Sequence, residues 1–275
     1  MTQHASFPVL TTLTDPADVA ADIVVMPFGG GGLSVFLPWA RRLPAAWRLS
    51  AVCLPGRGPR FVEPPHTDAA SAAQEVAAAV RSRLGGTGRP LVYLGHGLGS
   101  LLALDVAALV EPDLLCVAGC SPPHPSTPVD HGRLDPAEPE RTTRAFSTSL
   151  DPADPALLAE IIELTTPVLR ADLEPYDGHL PPTAPLSCDI VSYYGDQDDV
   201  PALAWKQHTT GRAAVVPMPG DHYFVQRSPG PLVADLEHRL NSLRSTRSTR
   251  STRSIRSIQS ARSPGSRHEV EAPAS

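Results

Sequence analysis

Lysine is nearly absent from this 275-residue chain: Lys206 is the only one among 23 basic residues. Alanine, arginine and proline are used heavily instead. That pattern reflects GC-rich codons, a matter of composition and not of function. Cysteine is scarce too, with four residues at 53, 116, 120 and 188. They form no CxxC pair and are too few for a disulfide scaffold, which excludes a zinc ribbon or a disulfide-rich secreted fold and predicts a reducing cytosol. No apolar run approaches the roughly 18 residues of a membrane helix. The first twenty residues lack the basic start and apolar core of a signal peptide. Apolar residues still make up 41% and charged residues 19%, enough for one large α/β domain or two small ones. The composition predicts a cytoplasmic, single-core protein, expected as a monomer.

Charge is unevenly spread. Seven arginines lie after Leu243, against only Glu269 and Glu271, so the tail carries +5. Residues 1–243 carry 16 basic and 27 acidic groups, a net of −11. So acidic a body is a poor nucleic-acid binder. The tail repeats Arg-Ser-Thr from Arg244 and then Arg-Ser-Ile from Arg253. A period of three lines up neither a helical nor a strand face. Residues 244–275 are therefore expected to be disordered, either a solvated extension or a basic arm for an acidic partner.

Between these ends, strand and helix signals alternate. Strands are predicted over Ile23–Met26, Leu49–Leu54, Pro90–Leu94, Leu114–Ala118, Cys188–Tyr194 and Ala213–Val216. Helices are predicted over Phe36–Leu43, Ala69–Leu84 and Ser100–Val110. Such alternation gives a mostly parallel sheet flanked by helices, with ligands at the carboxyl ends of the strands. The stretch 122–185 breaks the rhythm. It is proline-rich and acidic, with helical pieces at Pro155–Leu164 and Thr166–Leu173, and is expected to form a lid over the strand ends. The domain is expected to span 21–243, preceded by an extension over 1–20.

Three segments at strand ends carry the chemistry. Gly95-His96-Gly97-Leu98-Gly99 has the spacing of a nucleophile elbow, the sharp strand-to-helix turn that presents an attacking side chain. Its outer glycines let strand and helix approach closely. Gly195-Asp196-Gln197-Asp198 follows a later strand, and Gly220-Asp221-His222-Tyr223-Phe224 follows the next. The order elbow, acid, histidine is that of α/β-hydrolases. Asp198 would then hold His222 in one tautomer and stabilise its protonated form.

The set of motifs resembles the type II thioesterases of polyketide and nonribosomal peptide assembly lines. It comprises Pro27-Phe28-Gly29-Gly30, Pro38-Trp39, Pro55-Gly56-Arg57-Gly58-Pro59-Arg60, Gly95-His96-x-Leu98-Gly99, Leu169-Arg170-Ala171-Asp172-Leu173, Tyr176, Ala204-Trp205 and Gly220-x-His222-x-Phe224. The resemblance covers about residues 20–230. It implies an α/β-hydrolase fold with a helical lid, an acyl thioester substrate on the phosphopantetheine arm of an acyl or peptidyl carrier protein, and no cofactor or metal. The usual work of the family is hydrolytic removal of unwanted acyl groups. The resemblance also implies oxyanion-hole donors at Leu98 and near Phe28.

This sequence departs from that family at its centre, where Gly97 stands in place of the serine. Glycine has no side chain, so no acyl-enzyme forms there. Three readings follow. His222 and Asp198 act as acid and base on water or on a nucleophile supplied by the substrate, the latter giving cyclising release. Alternatively the protein is a noncatalytic binder of a carrier protein or acyl chain. Finally, Cys120 has taken over as nucleophile, if His222 reaches it. Ser100 lies nearly one helical turn into the helix. Cys53 is a weaker candidate, and His96 reads as a turn-packing residue.

Overall fold

The computed structural model describes residues 7–124, 155–198 and 202–243. Much of the expected lid, residues 125–154, and the Arg-Ser-Thr tail lie outside them. Two compact units divide the chain, Met1–Asp235 and Leu236–Ser275. Of the second, residues 236–243 are described and are helical.

Seven strands form one sheet: β1 (Leu10–Thr14), β2 (Ala21–Met26), β3 (Trp47–Val52), β4 (Leu91–His96), β5 (Leu114–Ala118), β6 (Asp189–Gly195) and β7 (Ala213–Met218). Their spatial order is β1-β3-β2-β4-β5-β6-β7. Only β1 runs antiparallel, against β3; the other neighbours are parallel. This is the α/β-hydrolase sheet that the motifs imply. All six residues of β2 and all five of β5 are buried, as central parallel strands covered on both faces require. One expectation needs correction at its boundary. Residues 10–14, placed in an extension ahead of the domain, form the edge strand of its sheet.

Helix α1 (Ala69–Leu84) occupies the predicted span. Asp68 caps it by accepting from the Ser71 N–H at 2.7 Å, and buried residues recur at 69, 72, 73, 76, 77, 80 and 84. That three-to-four spacing lays one apolar stripe on the core. Helix α2 (Leu98–Leu109) starts directly after the elbow and is buried along most of its length. The predicted helix over 36–43 is instead two short 3₁₀ turns, Leu33–Phe36 and Trp39–Arg41. Pro38, with no N–H to donate, separates them. Conversely, the two helical pieces expected after Pro155 are one helix, α3 (Pro155–Leu173), with Pro167 inside it. Among the described residues no helix is long and apolar enough to cross a membrane.

Register places the chemistry. Met26 pairs with Gly95, and His96 with Ala118, so β2, β4 and β5 end level. The loops that begin at Pro27, Gly97 and Gly119 therefore emerge side by side.

Candidate active site

Gly97 adopts φ 52°, ψ −125°, a backbone region that side chains other than hydrogen rarely occupy. Its N–H donates to the Ala118 carbonyl at 2.8 Å, and its own carbonyl accepts from Ser100 N–H at 2.9 Å. The flanking glycines are sterically required. A Cβ on Gly95 would lie 2.2 Å from the Gly99 carbonyl oxygen, and one on Gly99 would lie 2.4 Å from those of Met26 and Pro27. The elbow geometry expected from the spacing is present. A Cβ at position 97 would point at the imidazole, 3.5 Å from His222 Nε2.

His222 Nδ1–H donates to Asp198 Oδ2 at 3.0 Å. That bond fixes the tautomer and turns Nε2, the basic nitrogen, toward Gly97. The two loops carrying these residues are laced together. Asp196 Oδ1 accepts from Gly220 N–H at 2.9 Å, and Gln197 N–H donates to the Gly220 carbonyl at 3.1 Å. Gly195 has no room for a side chain, because a Cβ there would meet the Gly220 carbonyl oxygen at 2.4 Å. The His222 side chain is 37% exposed, so water or substrate reaches it.

His96 has a structural role that the sequence only partly signalled. It is fully buried and its ring centroid lies 5.0 Å from that of His222. Its Nε2–H donates to the His222 carbonyl at 2.9 Å, while Nδ1 accepts from the Gln226 amide at 3.3 Å. Both nitrogens are thus satisfied in the neutral form. Burial, reinforced by the neighbouring His222, pulls its pKa from 6.5 down to about 3. The folded pKa is below the unfolded one, so the unfolded chain binds the extra proton at acid pH. The stabilisation is complete above pH 6.5 and is lost as pH falls from there toward 3. Between pH 7.5 and 5.0 this histidine alone should cost about 2 kcal/mol of stability. His96→Asn should remove that component, which urea unfolding at the two pH values would measure. Equal acid sensitivity in the variant would refute the assignment.

Leu98 is the first residue of α2, where a helical N–H has no intrahelical acceptor and the helix dipole favours developing negative charge. Phe28 follows β2 on the facing loop; its ring packs edge-on against His96 and Tyr223 at 5.4 and 5.7 Å between centroids. This loop is clamped from α3 by residues whose role the sequence did not reveal. Gly30 N–H donates to Asp172 Oδ2 at 2.7 Å. Arg57 grips both carboxylate oxygens of Asp172 and donates to the Gly31 carbonyl at 3.2 Å. Arg57 and Asp172 are each 8% exposed. Leu169 closes over the same loop, since a Cβ on Gly29 would lie 2.7 Å from its Cδ1.

The other nucleophile candidates are occupied. Ser100 Oγ–H donates to the Gly95 carbonyl at 2.9 Å, inside the elbow. The Cys120 thiol donates to the Ser121 carbonyl at 3.3 Å, and burial pushes its pKa up to about 12, so almost none is thiolate at neutral pH. Burial also raises the pKa of Cys53. Gly119, at φ 56°, is what brings the histidine in: a Cβ there would lie 3.1 Å from His222 Nδ1. Among the described residues no His, Cys, Asp or Glu cluster could hold a metal ion.

Comparison with known proteins agrees with this geometry. Residues 21–240 match the family described as thioesterase domain. The chain is 29% identical over 241 residues to linear gramicidin dehydrogenase LgrE of Brevibacillus parabrevis, covering 81% of this chain and 89% of that protein. It is 27% identical over 218 residues to the medium-chain S-acyl fatty acid synthase thioesterase of Homo sapiens, covering 74% and 80%. Among solved structures, the RedJ thioesterase from the prodiginine pathway of Streptomyces coelicolor is 32% identical with a TM-score of 0.69, covering 81% of this chain and 87% of that one.

Proposed function

The chain belongs to the thioesterase family, and from that premise we propose that it is of the type II form and acts on acyl thioesters of assembly-line carrier proteins without an enzyme-bound intermediate. One observation carries the reading: the His222–Asp198 pair is aligned on a position that has no side chain, with Nε2 3.5 Å from where a Cβ would stand. Glycine leaves that space to a water molecule or to a hydroxyl or amine of the substrate.

In the proposed step His222 Nε2 removes the proton from that nucleophile while its oxygen or nitrogen bonds to the thioester carbon. The oxyanion is held by N–H donors at Leu98 and near Phe28. The carbonyl re-forms as the C–S bond breaks, and His222 returns the proton to the departing pantetheine sulfur. Water gives a free acid; a substrate hydroxyl or amine gives a ring. Asp198 stabilises the imidazolium between the two transfers. No cofactor is required. Residual catalysis of roughly 10³–10⁴ over water survives loss of triad members in a serine protease, through oxyanion hole and binding alone.

The test is intact mass spectrometry of acyl-loaded carrier protein incubated with wild type and His222→Ala. Wild type should unload the carrier, with His222→Ala slower by about 10²-fold or more. Equal rates would remove the acid–base pair from the mechanism. A wild type that leaves the acyl group in place would make the protein a carrier or acyl binder instead.

A further inference from the structure

Two histidines stand at the elbow with ring centroids 5.0 Å apart, and the proposed step needs a positive charge on only one of them. A cation on either ring disfavours a cation on the other. Asp198 backs His222 with a carboxylate at 3.0 Å. His96 has neutral partners at both nitrogens. Its Nε2–H donates to the His222 carbonyl at 2.9 Å, and its Nδ1 accepts from the Gln226 amide at 3.3 Å. Tyr223, 6.3 Å away between ring centroids, is a neutral phenol whose pKa burial pushes up to about 12.

The Gln226 amide comes from a fixed support. It sits on the short helix Phe224–Arg227, which begins two residues after His222. The Val225 carbonyl of that helix accepts from the indole N–H of the fully buried Trp39 at 2.8 Å, and Phe224 packs its ring against His96 at 6.3 Å. The orientation of the amide has a cost. Among the described residues Gln226 Oε1 is buried and has no hydrogen-bond partner, a state that is uncommon in folded proteins and calls for a reason. The other end of the same amide supplies one. Turned over, it would present an acceptor to Nδ1 and invite a proton there. An N–H in that place keeps the proton off, and the hydrogen bond at one ring nitrogen sets the state of the other.

We propose that Gln226 is a positioning residue that reserves the site's one positive charge for His222: its amide N–H, directed at His96 Nδ1, keeps a second proton off that ring. The inference rests on the reading that His222 is the acid–base group of carrier-thioester cleavage. Gln226 touches no reacting atom and acts through His96. A neutral His96 then serves twice, since its Nε2–H holds the His222 main chain and no cation opposes the imidazolium that Asp198 stabilises.

The experiment compares wild type with Gln226→Glu, close in shape but offering Nδ1 an acceptor, and with Gln226→Met, which removes the donor without supplying a charge. Two-bond ¹⁵N–¹H NMR at pH 7.0 reads the protons on each ring, with His96→Asn and His222→Ala assigning the signals. Wild type should show His96 protonated on Nε2 alone, and Gln226→Glu should show it protonated on both nitrogens. Unloading of a butyryl-loaded carrier protein should then slow in Gln226→Glu by about 5–10-fold in kcat relative to Gln226→Met, with KM little changed. A role in packing alone would slow Gln226→Met at least as much. A wild-type His96 with its proton on Nδ1 would overturn the proposal without any variant. So would a singly protonated His96 in Gln226→Glu, or equal kcat in the two variants; in each of these an active wild type leaves the proposed function standing. A wild type that leaves the carrier loaded would remove the functional reading, and the role of Gln226 with it, whatever the spectra show.

Discussion

Gly97→Ser is expected to raise hydrolysis of short acyl thioesters by about 10³-fold or more, against the roughly 10⁶ that a complete triad contributes in a serine protease. A serine Cβ would stand 3.5 Å from His222 Nε2, so one rotamer of Oγ comes within hydrogen-bonding range of an imidazole that Asp198 already orients. The glycines that let strand and helix meet are in place on both sides, and Leu98 still opens α2. Two features keep the gain below that of a complete triad. The new Cβ would lie 3.2 Å from Phe28 Cβ, so Phe28 must yield by a few tenths of an ångström. The φ of 52° also becomes strained once a side chain is added, costing about 1–3 kcal/mol. The variant should therefore be more active and less stable than wild type. Intact mass should show an acyl adduct on the variant alone. A folded variant with neither adduct nor faster hydrolysis would mean that the oxyanion site no longer supports acyl transfer.

Most of this arrangement is legible in one sequence because its signals are local. The three glycines of the elbow, the Ala-rich helix over 69–84 and the apolar runs of the parallel strands are each contiguous and strongly patterned. The order of elbow, Asp198 and His222 then identifies the pair that the structure joins at 3.0 Å. The errors have local causes as well. β1 reads Leu-Thr-Thr-Leu-Thr with only Leu10 buried, so an edge strand gives neither an apolar run nor a clean alternation. Pro167 marks a helix break by rule, yet α3 continues through it. Packing of Leu169 and Asp172 against the glycine loop holds the part of α3 beyond it. What no local signal carries is pairing at long range. Arg57 and Asp172 are 115 residues apart, and Gln226 reaches His96 across 130. Both motifs are visible, but neither shows what it binds.

Asp172→Ala should be the most damaging substitution away from the elbow, costing about 3–5 kcal/mol and lowering Tm by roughly 10 °C. It leaves the Arg57 guanidinium buried without its carboxylate, and it removes the acceptor of the Gly30 N–H. These two losses separate experimentally. Arg57→Met combined with Asp172→Leu removes both charges while keeping bulk, and replacing a buried ion pair by apolar side chains is often close to neutral. The double variant should thus recover much of the stability lost by Asp172→Ala. It cannot recover the bond to Gly30, two residues from Phe28 on the loop facing the elbow. If the clamp positions that loop for catalysis, then in a Gly97→Ser background the double variant should lose kcat by about 10-fold or more with KM little changed, the signature of an interaction made only in the transition state. Hydrogen exchange over residues 27–32 should rise in the same variant of the wild-type chain, while α1 stays protected. A double variant that recovers stability, exchange protection and kcat together would reduce the Arg57–Asp172 pair to a packing element.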